Sequence, residues 1–179
     1  MGSQVVVVDV QKVFRESDVA DKARNHLKQV HLSLQEGMKA IEAVYGLKGS
    51  HPSSQIMQEG IQRLELQYKA EEQAVNQIVT QVLATTAQAW SDEHPDKVVI
   101  ARNLVLGAGK EADITDDIIE KMKMVSPVFS DIPTVTVKTP LEEAKETESV
   151  TKKSRQDAMS RKQGKESKAE RKADRKDAH

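Results

Sequence analysis

The sequence predicts an α+β protein in which a small β body carries a long antiparallel helical hairpin arm and a disordered, basic C-terminal tail follows. Strand-like runs lie near the start of the chain and again about eighty residues later, with a helix-patterned stretch between them. A cluster of Gly and Pro breaks this stretch once, so that it doubles back. We therefore expect the β body and a closing helix at 1–17 and 95–125, the arm at 18–94, and an extended linker and low-complexity tail at 126–179.

Composition limits the kind of core and the kind of chemistry that the chain can have. Only 3% of the 179 residues are aromatic, so burial must come mainly from helix seams and a small sheet. There is no Cys, which excludes disulfides and Cys-based metal or nucleophile chemistry. No run approaches the roughly 20 apolar residues of a membrane span. No signal peptide is visible, because Met1, Gly2 and Ser3 lead straight into a strand.

The formal net charge of −1 conceals two oppositely charged regions. Residues 1–150 carry 16 Lys and Arg against 23 Asp and Glu, whereas residues 151–179 carry 11 against 5. From position 141 onward large apolar residues almost disappear, as in chains that do not fold alone. The sequence thus predicts an acidic body and a solvated basic tail, in which a helix with mixed charges would have nothing to bury.

The first strand and the first long helix follow from β-branched and helical patterns. Val5–Val10 is a β-branched run, interrupted by Asp9, that is too short for a helix. Ser17 is the predicted N-cap of the next helix, with Asp18 and Asp21 in its first turn opposing the helix dipole. Apolar residues then recur at helical spacing in one stripe: Val19, Ala23, Leu27, Val30, Leu34, Met38, Ile41 and Tyr45.

A turn and a second long helix complete the predicted arm. Gly46, Gly49 and Pro52 break the first stripe, and Ser53 or Ser54 is the predicted cap of the second helix, which ends at Pro95. Its seam alternates steps of 4 and 3 in a heptad-like repeat: Met57, Ile61, Leu64, Tyr68, Glu71, Val75, Ile78, Val82, Thr85 and Ala89. Two stripes joined by a short turn predict an antiparallel hairpin with helices of about 40 and 60 Å.

The second half of the body is predicted to hold two strands and a short helix. Lys97–Ala101 and Leu104–Leu106 are strand-like runs around a hairpin-type turn. Thr115 is the predicted cap of a closing helix whose apolar side is Ile118, Ile119 and Met122. Beyond it the pattern weakens, and Thr134–Lys138 is the one further candidate for an extended segment.

The sequence contains no constellation that indicates catalysis, a cofactor or a bound metal. GAGKEA (Gly107–Ala112) has the letters of a dinucleotide-binding motif, but no βαβ unit follows and the next helix starts too late, so a strand-to-helix turn is favoured. Asp113, Thr115 and Asp117 faintly resemble a calcium loop without its glycine and terminal carboxylate, which favours helix capping. The five His residues form no i, i+4 pair. We therefore expect a protein that is not an enzyme and has no cofactor.

Two segments together carry a resemblance to a known family. VVVVDVQKVFRES (Val5–Ser17), a helical hairpin, and then VVIARNLVLGAGKEADITDDIIEKM (Val98–Met122) resemble the Skp (OmpH-like) family of bacterial periplasmic chaperones. The first segment is similar to the family's opening strand, its Val-Asp-x-x-x-Val/Leu-Phe/Leu step and its Glu-Ser helix start. The second is similar to its strand pair, its Asp-Ile-Thr-Asp sequence and its short closing helix. The likeness covers residues 4–125, approximately.

The resemblance implies an ATP-independent holdase, a homotrimer whose arms enclose a cavity for unfolded outer-membrane proteins. A short three-strand patch cannot bury both faces alone, which also favours assembly through the body. The expected oligomer interface consists of Val5, Val6, Val7, Val8, Val98, Val99, Ile100, Leu104 and Leu106. The resemblance also implies a periplasmic location, although no signal peptide is visible in the chain. The alternative is a cytoplasmic location.

Expected client contacts and a hinge lie on the arm. Small apolar and flexible side chains near the arm tip suit client binding, although Met57 and Ile61 also lie on the seam: Met38, Ile56, Met57, Ile61 and Leu66. Gly37 and Gly60 lie equally far from the middle of the turn cluster. Each costs about 1 kcal/mol relative to Ala inside a helix. They predict either a hinge or two tolerated solvent-facing glycines.

The sequence is also compatible with two other functions. One is a coiled-coil scaffold or adaptor without chaperone activity. The other is a basic-tailed protein that makes weak contact with an anionic membrane surface or with nucleic acid. Residues 130–179 contain no aromatic side chain for base stacking, so specific nucleic-acid binding is not expected. The acidic body also argues against recognition of anionic lipopolysaccharide.

Overall fold

Long helices make up most of the chain, and a small sheet joins the two ends of the helical arm. The structure is a computed structural model that describes residues 2, 4–46 and 51–173. The predicted α+β class is confirmed. None of the helices within these residues combines the length and the apolarity needed to cross a bilayer.

The first strand is shorter than predicted and a helix follows it at once. Strand β1 is Gln4–Val8, and helix α1 is Val10–Glu16. The predicted strand through Val10 is therefore wrong at its end. Asp9 is the reason, because its Oδ1 accepts a hydrogen bond from the backbone N–H of Lys12 at 3.1 Å and caps α1.

The arm is the predicted antiparallel hairpin. Helix α2 is Asp18–Ile41, continued by a π-helical turn at Glu42–Gly46, and helix α3 is His51–Glu93. Ser17 caps α2 as predicted, its Oγ accepting from the backbone N–H of Ala20 at 3.1 Å. Because α3 already begins at His51, a cap at Ser53 or Ser54 is wrong. The centre of the predicted turn, residues 47–50, lies outside the described residues.

The sheet is a parallel pair and not the predicted three-strand patch. Strand β2 is Lys97–Ala101, and its residues pair with β1 in register from Gln4 with Lys97 to Val8 with Ala101. The two helices of the arm form the crossover that a parallel pair requires. The predicted strand Leu104–Leu106 and its hairpin are wrong, since Arg102–Leu104 is a 3₁₀ turn and no strand forms at 105–106. The β1 edge is instead bridged by Asp113 beside Val7.

The buried stripe of α3 shifts by one residue along the helix. The predicted seam residues Glu71, Val75 and Val82 are buried. Ile78 is only half-buried, and Thr85 and Ala89 are exposed. The buried positions that replace them are Val79, Leu83, Thr86 and Trp90. A strict 3.5-residue repeat drifts by about 20° per heptad from a straight helix of 3.6 residues per turn, and α3 keeps the straight-helix period.

The closing helix packs against the base of the arm. Helix α4 is Thr115–Met122, and Ile118 and Met122 are fully buried. Thr115 is its first residue and not its cap, which corrects the prediction. The Thr115 hydroxyl accepts from the backbone N–H of Asp9 at 2.8 Å and donates to Oδ1 of Asp113 at 2.5 Å. One core thus joins β1 and all four of the helices α1, α2, α3 and α4: Val6, Val8, Val13, Val19, Ala23, Val75, Val79, Val82, Leu83, Trp90, Ile118, Ile119 and Met122.

A segment without regular secondary structure lies against the arm after α4. We call residues 128–136 the strap. Phe129, Ile132 and Val135 are half-buried in it, whereas Ser130 and Thr134 are exposed. No strand forms at the predicted extended segment 134–138.

The chain divides into two compact units, Met1–Thr136 and Val137–His179. In the second unit, helix α5 is Pro140–Ala173, which corrects the prediction of a disordered tail. All of the side chains described on α5 are exposed, including Val150 and Met159. This agrees with a charged helix that buries nothing.

Candidate functional site

The arm has an open apolar groove on one side of the seam between α2 and α3. Its volume is about 550 Å³. Leu34 and Met38 of α2 and Leu64 and Tyr68 of α3 supply its apolar lining. The polar side chains around it are His31, Gln35, Glu65 and Lys69. An apolar floor with a polar rim is suited to an extended chain that offers apolar side chains and a backbone.

The strap lies on the other side of the same seam. Residues of α2 that meet the strap are His26, Ser33 and Gly37, which fall within about 40° of one another on a helix of 100° per residue. The groove-lining residues of α2 are centred about 130° away on the same helix. The hairpin therefore has one side that the strap covers and one side that the strap leaves open.

Ring contacts and mixed charges shape the open groove. The rings of His31 and Tyr68 meet edge to face with their centroids 5.8 Å apart, which joins α2 to α3 at one end of the groove. Glu65 and Lys69 are one turn apart on α3 and bring opposite charges to the rim. The arrangement offers apolar contact and adaptable polar contact, with a flexible thioether at Met38.

The predicted client-contact residues are spread over different surfaces of the arm. Met38 lines the open groove. Ile56, Met57 and Ile61 are half-buried nearer the turn, and Leu66 is 66% exposed outside the groove. Leu34, Leu64 and Tyr68 were predicted only as seam residues, although they line the groove. Their apolar character gave no signal for this role, because a seam residue and a groove residue look alike in sequence.

Polar residues are buried beneath the strap. Ser130 donates from Oγ to Oε2 of Glu71 at 3.1 Å, and Gln67 donates to Oε1 of the same carboxylate at 3.2 Å. The Phe129 ring stacks on His26 with the centroids 5.0 Å apart. The buried Nε2 of His26 lies 3.7 Å from Oε2 of Glu71, too far for a hydrogen bond, and has no hydrogen-bond partner among the described residues.

The glycines predicted as a hinge both lie at close contacts. A β carbon on Gly37 would lie 2.6 Å from Cβ of Val135, so Val135 of the strap occupies the space that a side chain at position 37 would fill. A β carbon on Gly60 would lie 3.0 Å from Cδ1 of Ile41 across the seam. Neither position faces open solvent, and the hinge stays a prediction. Hydrogen exchange around the two glycines, compared with the rest of the arm, is its test.

The predicted interface residues divide into buried and exposed groups. Val6, Val7 and Val8 are buried by the chain itself, at 5% exposure or less. Val99 and Ile100 are half-buried. The exposed members are Val5, Val98, Leu104 and Leu106, at 51, 46, 75 and 112%. Val5 and Val98 are partners in the β1–β2 register, so they form one apolar pair at the sheet.

Charged residues at the edge of the body are already paired with one another. Lys12 donates to Asp116 and Arg102 donates to Asp113, both at 2.8 Å. The hydrogen bond and the charge of Asp116 raise the pKa of Lys12. Partial burial alone would raise the pKa of Asp113, but hydrogen bonds from the Thr115 hydroxyl and N–H and the nearby Arg102 outweigh it, so that pKa lies below its usual value.

Comparison with known proteins gives a likeness among solved structures. No protein-family model matches the sequence. No curated protein matches it either. Among solved structures, the chain is similar to a candidate outer membrane chaperone (OmpH-like) from Caulobacter crescentus CB15. The match has 17% identity and a TM-score of 0.43, and covers 75% of this chain and 93% of that chain. At this level the likeness assigns no function.

Proposed function

We propose that the protein is an ATP-independent holdase that sequesters unfolded proteins, with outer-membrane proteins as the client class, between its helical arms. The open groove of the arm is the observation that supports this proposal most. It offers the half-buried Met38, Leu64 and Tyr68 above the buried Leu34, on two long helices and with a polar rim. Such a surface binds extended apolar segments weakly and without chemistry, as a holdase requires.

We propose further that three chains assemble through the body. The support is the exposed apolar surface at Val5, Val98, Leu104 and Leu106, which one chain leaves uncovered. A trimer would place several arms around one client and raise the effective concentration of weak grooves. A periplasmic location and a weak contact of the basic tail with anionic membrane belong to the same proposal.

The proposal is tested by the aggregation of an unfolded outer-membrane β-barrel protein, followed by light scattering without nucleotide. We expect the native protein to suppress aggregation and added ATP to change nothing. Met38→Lys should weaken suppression, because it places a charge in the apolar groove. Leu32→Lys is the matched control, since Leu32 is 58% exposed on the outer face of α2. Full aggregation in the presence of the native protein would reject the holdase and favour a scaffold.

A further inference from the structure

The strap is held to the arm by side chains. Among the described residues, no backbone–backbone hydrogen bond joins residues 128–136 to α2 or α3. The contacts are the Ser130–Glu71 hydrogen bond, the stack of Phe129 on His26, and Val135 over Gly37. In addition, the Ser33 hydroxyl donates to the carbonyl of Pro133 at 2.5 Å. These are the kinds of contact by which a groove recognises an extended peptide.

The inward residues of the strap have a regular spacing. Phe129, Ile132 and Val135 are half-buried at every third position, and Pro133 between the last two is half-buried as well. Val128 is 85% exposed, and Ser130, Asp131, Thr134 and Thr136 are also exposed. Three residues per turn is the period of an extended polyproline-type chain, and Pro127 and Pro133 suit that conformation. Phe129 and Val135 thus contact the arm, and the half-buried Ile132 lies midway between them in sequence.

The surface beneath the strap is suited to being uncovered. The seam beneath the strap contains two buried ionisable residues, His26 and Glu71, with Ser33 and Gly37 beside the strap. His26 Nε2 has no hydrogen-bond partner among the described residues while the strap is in place, and Glu71 is 9% exposed. Water would reach both groups if the strap moved away, which offsets part of the cost of exposing the apolar contacts.

We propose that the surface under the strap is a second peptide-binding groove, for which the strap is the resident occupant. The partner is an extended segment with an aromatic residue followed by aliphatic residues three and six positions later. Such a segment displaces the strap and takes over the stack on His26 and the contact at Gly37. This inference deepens the proposed function by naming the kind of client segment, and it rests on that function for its biological role.

The test uses a fluorescent peptide with the sequence of residues 127–137 and measures its anisotropy with the full-length protein. The double variant Phe129→Ser, Val135→Ser removes the two outer anchors of the strap. We expect it to bind the peptide at least about tenfold more tightly than the native chain, because its own strap competes less well. A peptide with the same two substitutions should not bind to either protein.

A third substitution checks that the peptide occupies the groove under the strap. Adding Gly37→Leu to the double variant would fill the space that Val135 uses, so the peptide should no longer bind. If the double variant keeps its helicity and binds no more tightly than the native chain, the inference is wrong. If the double variant loses its helicity, the peptide affinity of the variant Ser33→Ala, Ser130→Ala is compared with that of the native chain instead. This variant removes two hydrogen bonds and keeps every apolar anchor, so binding no tighter than that of the native chain would again show that the inference is wrong.

Failure of this inference can be distinguished from failure of the holdase proposal. Native protein that suppresses aggregation, together with a released strap that leaves peptide affinity unchanged, would reject only the second groove. Peptide binding in the expected order, together with no suppression of aggregation, would reject the holdase and leave a peptide-binding groove.

Discussion

Val135 of the strap packs over Gly37 of α2 so closely that a β carbon on Gly37 would lie 2.6 Å from Cβ of Val135. The relation explains a glycine on the buried stripe of a long helix, where Ala is normally favoured by about 1 kcal/mol. The glycine is therefore a place of close approach between two segments about one hundred residues apart in sequence.

Replacing this glycine should dislodge the strap. We expect Gly37→Ala to lower the free energy of unfolding by about 1–3 kcal/mol, despite the better helix propensity of Ala, because overpacking against Val135 outweighs it. Urea denaturation followed by circular dichroism measures the change. When Gly37→Ala is combined with Val135→Gly, most of the loss in unfolding free energy that comes from the contact between these two residues should disappear. Simple stabilisation by Gly37→Ala would show that the strap does not pack there.

The single Trp reports on the contact between the arm and the closing helix. Trp90 is buried and donates from Nε1 to Oδ2 of Asp117 at 2.7 Å. Asp117→Ala should lower the free energy of unfolding by about 1 kcal/mol and change the Trp fluorescence, because the indole N–H loses its partner. Asp116→Ala is the control for a charge lost from the first turn of α4: it breaks the exposed ion pair with Lys12 and should leave the Trp fluorescence unchanged. Equal effects of the two substitutions would contradict a specific role for the hydrogen bond.

Stability should fall in acid partly through Asp113. Its pKa is below the ordinary value of 3.8, so its contribution is complete above that value and is lost as pH falls through the lower folded-state pKa. Urea unfolding at pH 7 and at about pH 3 should therefore show a smaller difference for Asp113→Asn than for the native chain. The same pH dependence in both proteins would mean that other carboxylates account for the loss.

Assembly should depend on the exposed valine pair of the sheet. Light scattering of the native protein should give about three times the 19.9 kDa chain mass. Val98→Asp should reduce this to one chain, because an unpaired charge is costly in a dry interface. Val7 is unsuitable for this test, since it is buried inside the chain. Val150→Asp on α5 is the matched control, and a native protein that is monomeric at micromolar concentration would reject assembly through the body.

The sequence correctly predicted those elements that depend mainly on neighbouring residues, such as helix caps and strands of β-branched residues. Ser17 caps α2 as expected, and β1 and β2 lie where β-branched runs occur. Asp9 was interpreted as an interruption of a strand, although the same side chain caps α1. Asp and Ser both serve as caps, and the apolar residues after Asp9 suit a strand as well as a short helix.

Long-range packing accounts for what the sequence did not show. The strap has no helical or strand periodicity, and its pairing with Ser33 and Gly37 depends on contacts about one hundred residues apart. The open groove could be predicted only through Met38, because Leu34, Leu64 and Tyr68 have the spacing of ordinary seam residues. The seam shift from Thr85 to Thr86 likewise depends on whether α3 supercoils, which the heptad-like spacing alone does not decide.

Clients should contact the open groove of the arm, and site-specific photocrosslinking from two positions of α2 tests this contact. A benzophenone-bearing residue is placed at Met38 in one protein and at Leu32 in another, and each protein is irradiated with an unfolded β-barrel protein in the absence of nucleotide. The two positions lie on the same helix, one in the groove and one on the outer face. We expect a strong client adduct from position 38 and little from position 32. Equal adducts from both positions, or a stronger adduct from position 32, would contradict the groove as the client site.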